Sequence, residues 1–339
     1  MRELIQEGRA KIKVLPSKKI SKEMDVFYNP VMKLNRDISV LLLNSINKNK
    51  LIIADPLAGS GIRSIRFLLE LKKNKIKSIS INDYSEKAVR AIKENLQLNK
   101  IRKNKKIIII INDDANFFLL NSRGFDYIDV DPFGSPNFLL NSAVVRLSRS
   151  GILAVTATDT SALAGTYPEA CLRKYWAKPL KNELMHEIGL RILIRKVQLV
   201  GVQFNKALLP IFSYSKDHYM RVFFECRKSK EECDKVLQQH GFFQEAGPVW
   251  LGNLWDEKLA GKMVKNNKIE ENAKFLRIIQ DESKINIVGF YDLHKLRTSI
   301  RKDKFIKKIK DKGYKASETH FTGTGIRSNI EAKELKKLI

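Results

Sequence analysis

Cysteine is scarce in this chain of 339 residues: there are three, Cys171, Cys226 and Cys233, and no C-x-x-C pair. A disulfide scaffold is therefore excluded, and the spacing of the last two suits no zinc site, so three reduced structural thiols and no metal are expected. No run of eighteen apolar residues occurs, and residues 1–13 alternate charged and apolar types without the apolar stretch of a signal peptide. A soluble, cytoplasmic protein without a membrane partner is expected. Acidic residues are in deficit, 37 Asp and Glu against 63 Lys and Arg, which leaves a formal charge of +26. Such a surface attracts polyanions, and nucleic acid is the natural partner. Runs such as Lys103-Asn104-Lys105-Lys106 also fit plain lysine enrichment. Finally, neither a full G-x-G-x-x-G nor a glycine loop ending in Lys-Ser/Thr is present, which weakens dinucleotide and triphosphate binding.

The length exceeds that of one ordinary domain, and an apolar content of 43% can supply two cores. Asn29-Pro30 reads as a helix cap followed by proline in the first turn, and Leu34, Ile38, Leu41 and Leu42 continue at helical spacing to about Asn47. Leu51-Ile52-Ile53-Ala54 is then a short buried strand running into Asp55-Pro56-Leu57-Ala58-Gly59-Ser60-Gly61, after which Ile62, Ile65 and Leu69 resume the helical period. The unit repeats. Residues 78–82, 106–111, 125–130 and 151–158 read as further strands, ending at Asp83, Asn112-Asp113-Asp114, Asp131 and Asp159. Alternating strands and helices predict a doubly wound parallel sheet whose ligands bind beyond the carboxyl ends of the strands.

Farther on, Leu184, Ile188 and Ile192 mark a helix with Glu187 and Arg191 as an i,i+4 pair, and residues 218–226 read as a strand. The polar stretch Arg227-Lys228-Ser229-Lys230-Glu231-Glu232 predicts a boundary, with one domain over 1–226 and a smaller α+β domain over 227–339. In the latter, helical stretches fall around 271–280, 291–300 and 302–310. A strand over 314–321 and a Gly-Thr-Gly turn follow, an order that would suit a winged-helix-like module.

The chemistry should lie at the strand ends. The loop glycines Gly59 and Gly61 let backbone N–H groups approach a ligand closely, here a nucleoside. Asp83, roughly 20 residues beyond them at the end of the second strand, can accept both hydroxyls of a ribose. Asp114 can accept from an adenine amine while Ala115 leaves room for the ring; Asp113 could serve equally. Asp131-Pro132-Phe133-Gly134 is the sharpest signal. An exocyclic base amine is a poor nucleophile because its lone pair is delocalised, so a carboxylate such as Asp131 must accept its N–H bonds and orient it, while Phe133 offers a stacking face. Phe27 and Tyr28 could clamp the base from the other side, or could staple the next helix. Arg36 and Arg63 are candidates to pair with the carboxylate of a methionine moiety, or are ordinary solvated arginines.

Several blocks of this sequence resemble one family. They are Phe27-Tyr28-Asn29-Pro30 with Asn35-Arg36-Asp37-Ile38-Ser39-Val40, Asp131-Pro132-Phe133-Gly134-Ser135-Pro136, Ala157-Thr158-Asp159-Thr160-Ser161-Ala162-Leu163, Glu187-Ile188-Gly189-Leu190-Arg191, Gly247-Pro248-Val249-Trp250, Tyr291-Asp292-Leu293-His294, and Thr319-His320-Phe321 with Gly325-Ile326-Arg327. They are similar to the tRNA (guanine-26, N2)-dimethyltransferase family. The resemblance implies a class I, Rossmann-like S-adenosylmethionine-dependent methyltransferase domain and a family-specific C-terminal domain that binds tRNA. The implied reaction transfers one or two methyl groups from S-adenosyl-L-methionine to the exocyclic N2 of guanine 26. Arg36, Arg63, Asp83, Asp114 and Ala115 would serve the cofactor, and Asp131, Phe133 and Phe27 the guanine. A monomer is expected. Many members carry two C-x-x-C pairs near the start of the second domain, and this chain has none. A DNA adenine-N6 or cytosine-N4 methyltransferase would show a second proline and a Tyr or Trp in the Asp131 turn, where this chain has Phe133 and Gly134. A non-catalytic RNA chaperone on this fold should have lost Asp83 or Asp131, and both are present.

Overall fold

Short apolar runs that end in an aspartate become parallel strands in this chain. The computed structural model describes residues 3–14, 26–101, 107–296, 298 and 300–339. These divide into two units, Met1–Thr156 with Glu225–Lys228, and Ala157–Phe224 with Ser229–Ile339. The first unit opens with an antiparallel hairpin of β1 (Glu3–Glu7) and β2 (Ala10–Val14), turned at Gly8 with φ 56°. Asn29 caps the next segment by accepting from the Val31 N–H at 2.9 Å. A single 3-10 turn, Pro30–Met32, then leads into α1 (Lys33–Ser45).

From here strand and helix alternate: β3 (Leu51–Asp55), α2 (Ile62–Glu70), β4 (Ile76–Asn82), α3 (Glu86–Leu98), β5 (Ile108–Ile111), α4 (Ala115–Leu120), β6 (Phe125–Val130), α5 (Asn137–Arg146) and β7 (Leu147–Ala157). The strands lie in the order β5-β4-β3-β6-β7, each parallel to its neighbour. All five expected strands form, the third without Lys106, which lies outside the described residues along with the rest of that lysine run. The core positions Ile53, Ile79, Ile81, Ile128, Val130, Leu153 and Val155 are buried on both faces, as a parallel sheet covered by helices requires. Because the chain winds from β3 outward to β5 and then returns to place β6 against β3, the order reverses between β3 and β6. A crevice opens at the carboxyl ends on either side of such a reversal.

The second unit contains α6 (Thr160–Leu163), α7 (Pro168–Tyr175), α8 (Met185–Gln203), β8 (Lys206–Lys216), β9 (Tyr219–Lys228), α9 (Lys230–Gln238), β10 (His240–Phe243), β11 (Ala246–Trp250), α10 (Glu257–Asn266) and α11 (Glu270–Glu282). It closes with β12 (Tyr291–Asp292), α12 (Leu293–Leu296), α13 (Lys302–Asp311), β13 (Ala316–Glu318), β14 (Gly325–Ser328) and α14 (Ala332–Lys336). The helix expected over 291–300 is only the single turn α12 preceded by a strand; Arg297 and Ser299 lie outside the described residues. β12, β14 and β13 form a small antiparallel sheet in that order, with Phe305 and Ile309 of α13 buried in the adjoining core.

The two units do not divide at the polar stretch after residue 226. α8, β8 and most of β9 belong with the C-terminal residues, and a buried ionic knot explains why. Arg327 of β14 donates from Nη2 to Glu187 Oε2 of α8 at 2.6 Å and from Nε to Glu282 Oε1 of α11 at 3.0 Å. Glu187 also holds Arg191 at 2.9 Å, and Arg191 reaches the carbonyls of Trp250 and Gly252, both at 2.9 Å. Glu282 takes the Thr319 hydroxyl and His320 Nδ1, each at 2.5 Å. The Glu187-Arg191 pair is thus a buried hub rather than a solvated helix pair. Burial acts to raise the Glu187 carboxyl, but Arg327 and Arg191 outweigh it and hold the group at about 2.

Arg327→Met should destabilise the second unit by about 3–5 kcal/mol, because two carboxylates stay buried with their shared cation gone. The denaturation midpoint of that unit should fall, whereas Arg301→Met, which removes an exposed pair with Asp303, should cost less than about 1 kcal/mol. A carboxylate whose folded pKa is depressed stabilises above its unfolded value and loses that contribution as pH falls towards the folded one. The gap between wild type and Arg327→Met should therefore narrow below roughly pH 4. An unchanged midpoint at neutral pH would remove the knot from its structural role.

Candidate active site

The loop from β3 to α2 turns on two glycines in the left-handed region, Gly59 at φ 53° and Gly61 at φ 77°. A Cβ on Gly59 would lie 2.8 Å from the Phe27 carbonyl oxygen, so a side chain there has no room. The same carbonyl accepts from Ser60 N at 3.0 Å, which fastens the Phe27 segment onto the loop. Asp83, just past β4, accepts from Gly59 N at 2.8 Å through Oδ2 and from Ser85 N at 2.9 Å through Oδ1. Burial raises the Asp83 carboxyl above its ordinary value, opposed by these two backbone donors. Half-buried and facing the glycine turn, it retains acceptor capacity on both oxygens.

Asn82 ties the neighbouring loops together. Its amide nitrogen donates to the carbonyls of Pro56 and Asp113, both at 3.0 Å, and its oxygen accepts from Asp113 N at 3.1 Å. Asp114 caps α4, accepting from Asn116 N at 2.9 Å and Phe117 N at 3.2 Å, while Ala115 is buried at the first helical position. Asp113 and Asp114 are both exposed, and Asp113 spends one oxygen on the Asp114 N–H at 2.8 Å.

Asp131 follows β6, with its side chain 19% exposed, and its Oδ2 is gripped by Arg63 Nη2. Arg63 is itself fixed from behind: Nη1 donates to Asn35 Oδ1 at 2.9 Å and Ser39 Oγ at 3.1 Å, and lies 3.3 Å from Asp129 Oδ2. Asp129 takes the Tyr127 hydroxyl at 2.6 Å. Asp55, at the end of β3, accepts from Ser64 Oγ at 2.7 Å. Its carboxyl is pushed up to about 7 by burial first, with Asp129 and Asp131 adding to the rise and Arg63 opposing it. Three carboxylates therefore gather about one guanidinium, and at Asp55 burial favours the protonated form.

The Phe27 and Phe133 rings meet edge to face, 4.3 Å between centroids at 68°. Both are half-buried, so aromatic surface remains open beside Asp131. Tyr28 is buried, and its hydroxyl donates to Glu7 Oε2 at 3.2 Å. Glu7 also holds both arginines beneath it, Arg36 Nε at 2.7 Å and Arg66 Nη1 at 2.9 Å. Arg36 further reaches the Asn29 carbonyl at 3.0 Å.

The expected residues thus fall into linked groups. Phe27, Gly59 and Asp83 are joined by hydrogen bonds, Phe27 meets Phe133, and Arg63 meets Asp131, while Asp114 and Ala115 are tied in through Asn82. Gly61 packs on Ile92 of α3, where a Cβ would come within 3.0 Å. Arg36 is buried and bound to Glu7, and is not a solvated arginine. Sequence reasoning missed Asn35, Ser39, Asp55, Asn82, Asp129 and Glu7. Asn35 and Ser39 carried a readable signal, since they are polar side chains four apart on a helix face that also holds Ile38 and Leu42. Among the described residues no group of His, Cys, Asp or Glu could hold a metal, the three cysteines are free and buried, and no helix is long and apolar enough to cross a membrane.

Residues 8–246 and 241–339 match the family described as N2,N2-dimethylguanosine tRNA methyltransferase. The chain is 39% identical to the tRNA (guanine(26)-N(2)/guanine(27)-N(2))-dimethyltransferase of Aquifex aeolicus, covering 99% of this chain and 95% of that protein. It is 38% identical to the tRNA (guanine(26)-N(2))-dimethyltransferase of Pyrococcus horikoshii, covering 96% and 94%. It also superimposes on the structure of Trm1 from Pyrococcus horikoshii in complex with S-adenosyl-L-methionine, with a TM-score of 0.90 at 36% identity over 99% of each chain. The chain belongs to the N2,N2-dimethylguanosine tRNA methyltransferase family.

Proposed function

We propose that this chain methylates the exocyclic N2 of guanine 26 in tRNA, using S-adenosyl-L-methionine and acting in the cytoplasm. The observation that carries the reading is the convergence, at the reversal of the strand order, of a glycine turn bonded to Asp83 with an Arg63-held Asp131 beside two open aromatic rings.

The residues present fit the cofactor. Gly59 tolerates no side chain, so the loop can lie against a nucleoside, and Asp83 stands where it can accept from ribose hydroxyls. Asp114, or Asp113 beside it, would accept from the adenine amine over Ala115. When bound, the cofactor supplies an electrophilic methyl group. Arg36 and Arg63 were the candidates for its carboxylate, but each guanidinium already has a carboxylate of this chain, Glu7 and Asp131. Arg63 is therefore better read as the holder of Asp131, and Arg36 as the brace of the Phe27–Asn29 segment.

With Oδ2 taken by Arg63, Asp131 has Oδ1 left to accept an N–H of the guanine amine. That bond turns the nitrogen lone pair out of conjugation and toward the methyl group, and the negative charge stabilises the positive charge that develops on nitrogen as the N–C bond forms. The proton then leaves to Asp131. A monomethylated amine still has one N–H for this acceptor and a dimethylated one has none, so the same residue supports two rounds and no third. Phe133 and Phe27, in contact edge to face, leave aromatic surface beside Asp131 against which an extruded guanine can stack.

The residues after 227 would position tRNA through phosphate contacts. α13 supports this, since Phe305 and Ile309 turn inward while Lys304, Lys307, Lys308 and Lys310 are exposed. A deletion at residue 231 would remove Arg327 from Glu187, so charge removal on α13 is the cleaner test. Lys304→Gln with Lys307→Gln should make the log–log dependence of tRNA affinity on salt shallower, by about 0.7–0.9 for each phosphate no longer neutralised. An unaltered slope would remove α13 from the interface.

Asp83→Ala should weaken S-adenosylmethionine binding on the order of tenfold or more, as charge-assisted bonds contribute about 1.5–3 kcal/mol; unchanged affinity by calorimetry would assign the ribose to another residue. Asp131→Asn keeps the shape and one acceptor but loses the charge. Single-turnover methylation of unmodified tRNA should slow by roughly 10²–10⁴ with cofactor affinity nearly unchanged. A rate within about threefold of wild type would leave Asp131 a turn residue only.

A further inference from the structure

The buried arginines Arg36, Arg63, Arg66, Arg191 and Arg327 each have a carboxylate partner. Two adjacent cations on α8 do not. Lys196 is only 6% exposed, and its described partner is the Trp176 indole, with Nζ 3.1 Å from the ring centroid. Arg195 donates from Nη1 to the Trp176 carbonyl at 3.2 Å, while its Nε is buried without a partner. Neither meets a carboxylate among the described residues. Burial lowers the pKa of both, and Arg195 lowers that of Lys196 further. Burial and the same Arg195 charge also hold His240 down at about 4, so this histidine adds no third positive charge near neutral pH. Burying charge without a partner is costly, and a hydrophobic residue in place of Lys196 would avoid that cost. A buried ammonium whose described partner is an indole rather than a carboxylate points to an anion supplied from outside.

The surroundings say which anion. Trp176 ends α7 in the left-handed region at φ 56°, a conformation seldom adopted by bulky residues, and is 53% exposed. Tyr167 and Leu172, at the start and on the body of α7, are 61% and 58% exposed. Of the nearby cations, Lys174 is paired with Asp159 at 3.1 Å and Lys178 with Glu245 at 3.2 Å. An open indole over an uncompensated pair of cations matches the combination by which proteins hold single-stranded nucleic acid, a stacking platform beside a phosphate-binding group. Resting on the tRNA methyltransferase reading, we propose that Trp176, Arg195 and Lys196 form a subsite for the tRNA backbone, the cations taking a phosphate and the indole an adjacent nucleoside.

The test uses the full chain and an unmodified tRNA transcript, with affinity measured across a salt series. Lys196→Met should weaken binding and make the log–log salt slope shallower by about 0.7–0.9. Its melting temperature should be equal to or above that of wild type, because the variant removes a buried charge, and S-adenosylmethionine affinity should not change. Trp176→Leu should weaken binding on the order of tenfold at an unchanged slope, since stacking releases no counterions. Lys196→Arg should retain the wild-type slope, and Arg195→Gln provides a second loss of charge if Lys196→Met does not fold. Wild-type slopes and affinities in the folded Lys196→Met, or in Arg195→Gln in its place, would overturn the subsite alone. A wild-type protein that binds S-adenosylmethionine but neither binds nor methylates tRNA would overturn the functional reading, and the subsite with it.

Discussion

Carboxylates that parallel strands deliver to one end of a sheet must each find a cation, a set of N–H donors or a proton. In this protein that constraint organises the whole site. Asp55, Asp129 and Asp131 arrive from two adjacent strands and share one guanidinium, Arg63. Like charges so close cannot all ionise freely, and the carboxyl of Asp55 is raised by its burial together with the charges of Asp129 and Asp131. Asp131 is left oriented by Arg63 and partly open. Asp83 meets the same constraint differently, through the backbone N–H groups of Gly59 and Ser85. The glycine is needed twice over, because its N–H must face the carboxylate while its missing Cβ lets the Phe27 carbonyl approach.

The cation is fixed by neutral groups. Asn35 and Ser39 accept from Arg63 without adding charge, and they stand on α1, the helix that Asn29 caps. The segment before that cap carries Phe27, whose carbonyl holds the glycine loop and whose ring meets Phe133. A change in the angle of α1 would therefore move the Phe27 ring, the glycine loop and Asp131 together. Glu7 anchors this unit from beneath by pairing with Arg36 and Arg66, which explains why a short N-terminal hairpin is joined to a sheet with which it shares no strand pairing.

What was legible in the sequence follows the range of the forces involved. The parallel strands were readable because a strand buried on both faces is a plain apolar run, and an aspartate marks where it meets solvent. Asp83 and Asp131 were readable for the same reason. The β1–β2 hairpin was not: β2 alternates apolar and polar residues as many solvated segments do, β1 has only the adjacent pair Leu4 and Ile5, and only packing distinguishes them. Arg36 was chosen by type, yet a glutamate 29 residues earlier takes its charge. The unit boundary was misplaced because it depends on Glu187 and Arg327, 140 residues apart, which no local change of composition records. The Glu187-Arg191 spacing marked a helix but not its burial, since i,i+4 geometry is the same in water and in a core.

The formal charge of +26 then divides into cations of different kinds. Buried arginines with carboxylates hold each unit together and contribute little to an external field, because their charge is cancelled within a few ångströms. The exposed lysines of α13 act at a distance and are screened by salt. Arg195 and Lys196 belong to neither class, Lys196 being buried and Arg195 half-buried, and neither meeting a carboxylate among the described residues. Low surrounding polarity strengthens electrostatic attraction, so a phosphate reaching them would be held more firmly than one on an exposed lysine. Such a grip suits an enzyme that must extrude one guanine from a folded RNA. Unstacking the base costs a few kcal/mol, and binding energy from contacts remote from the reacting amine can offset it without relying on the loose hold that a surface of exposed lysines alone would give.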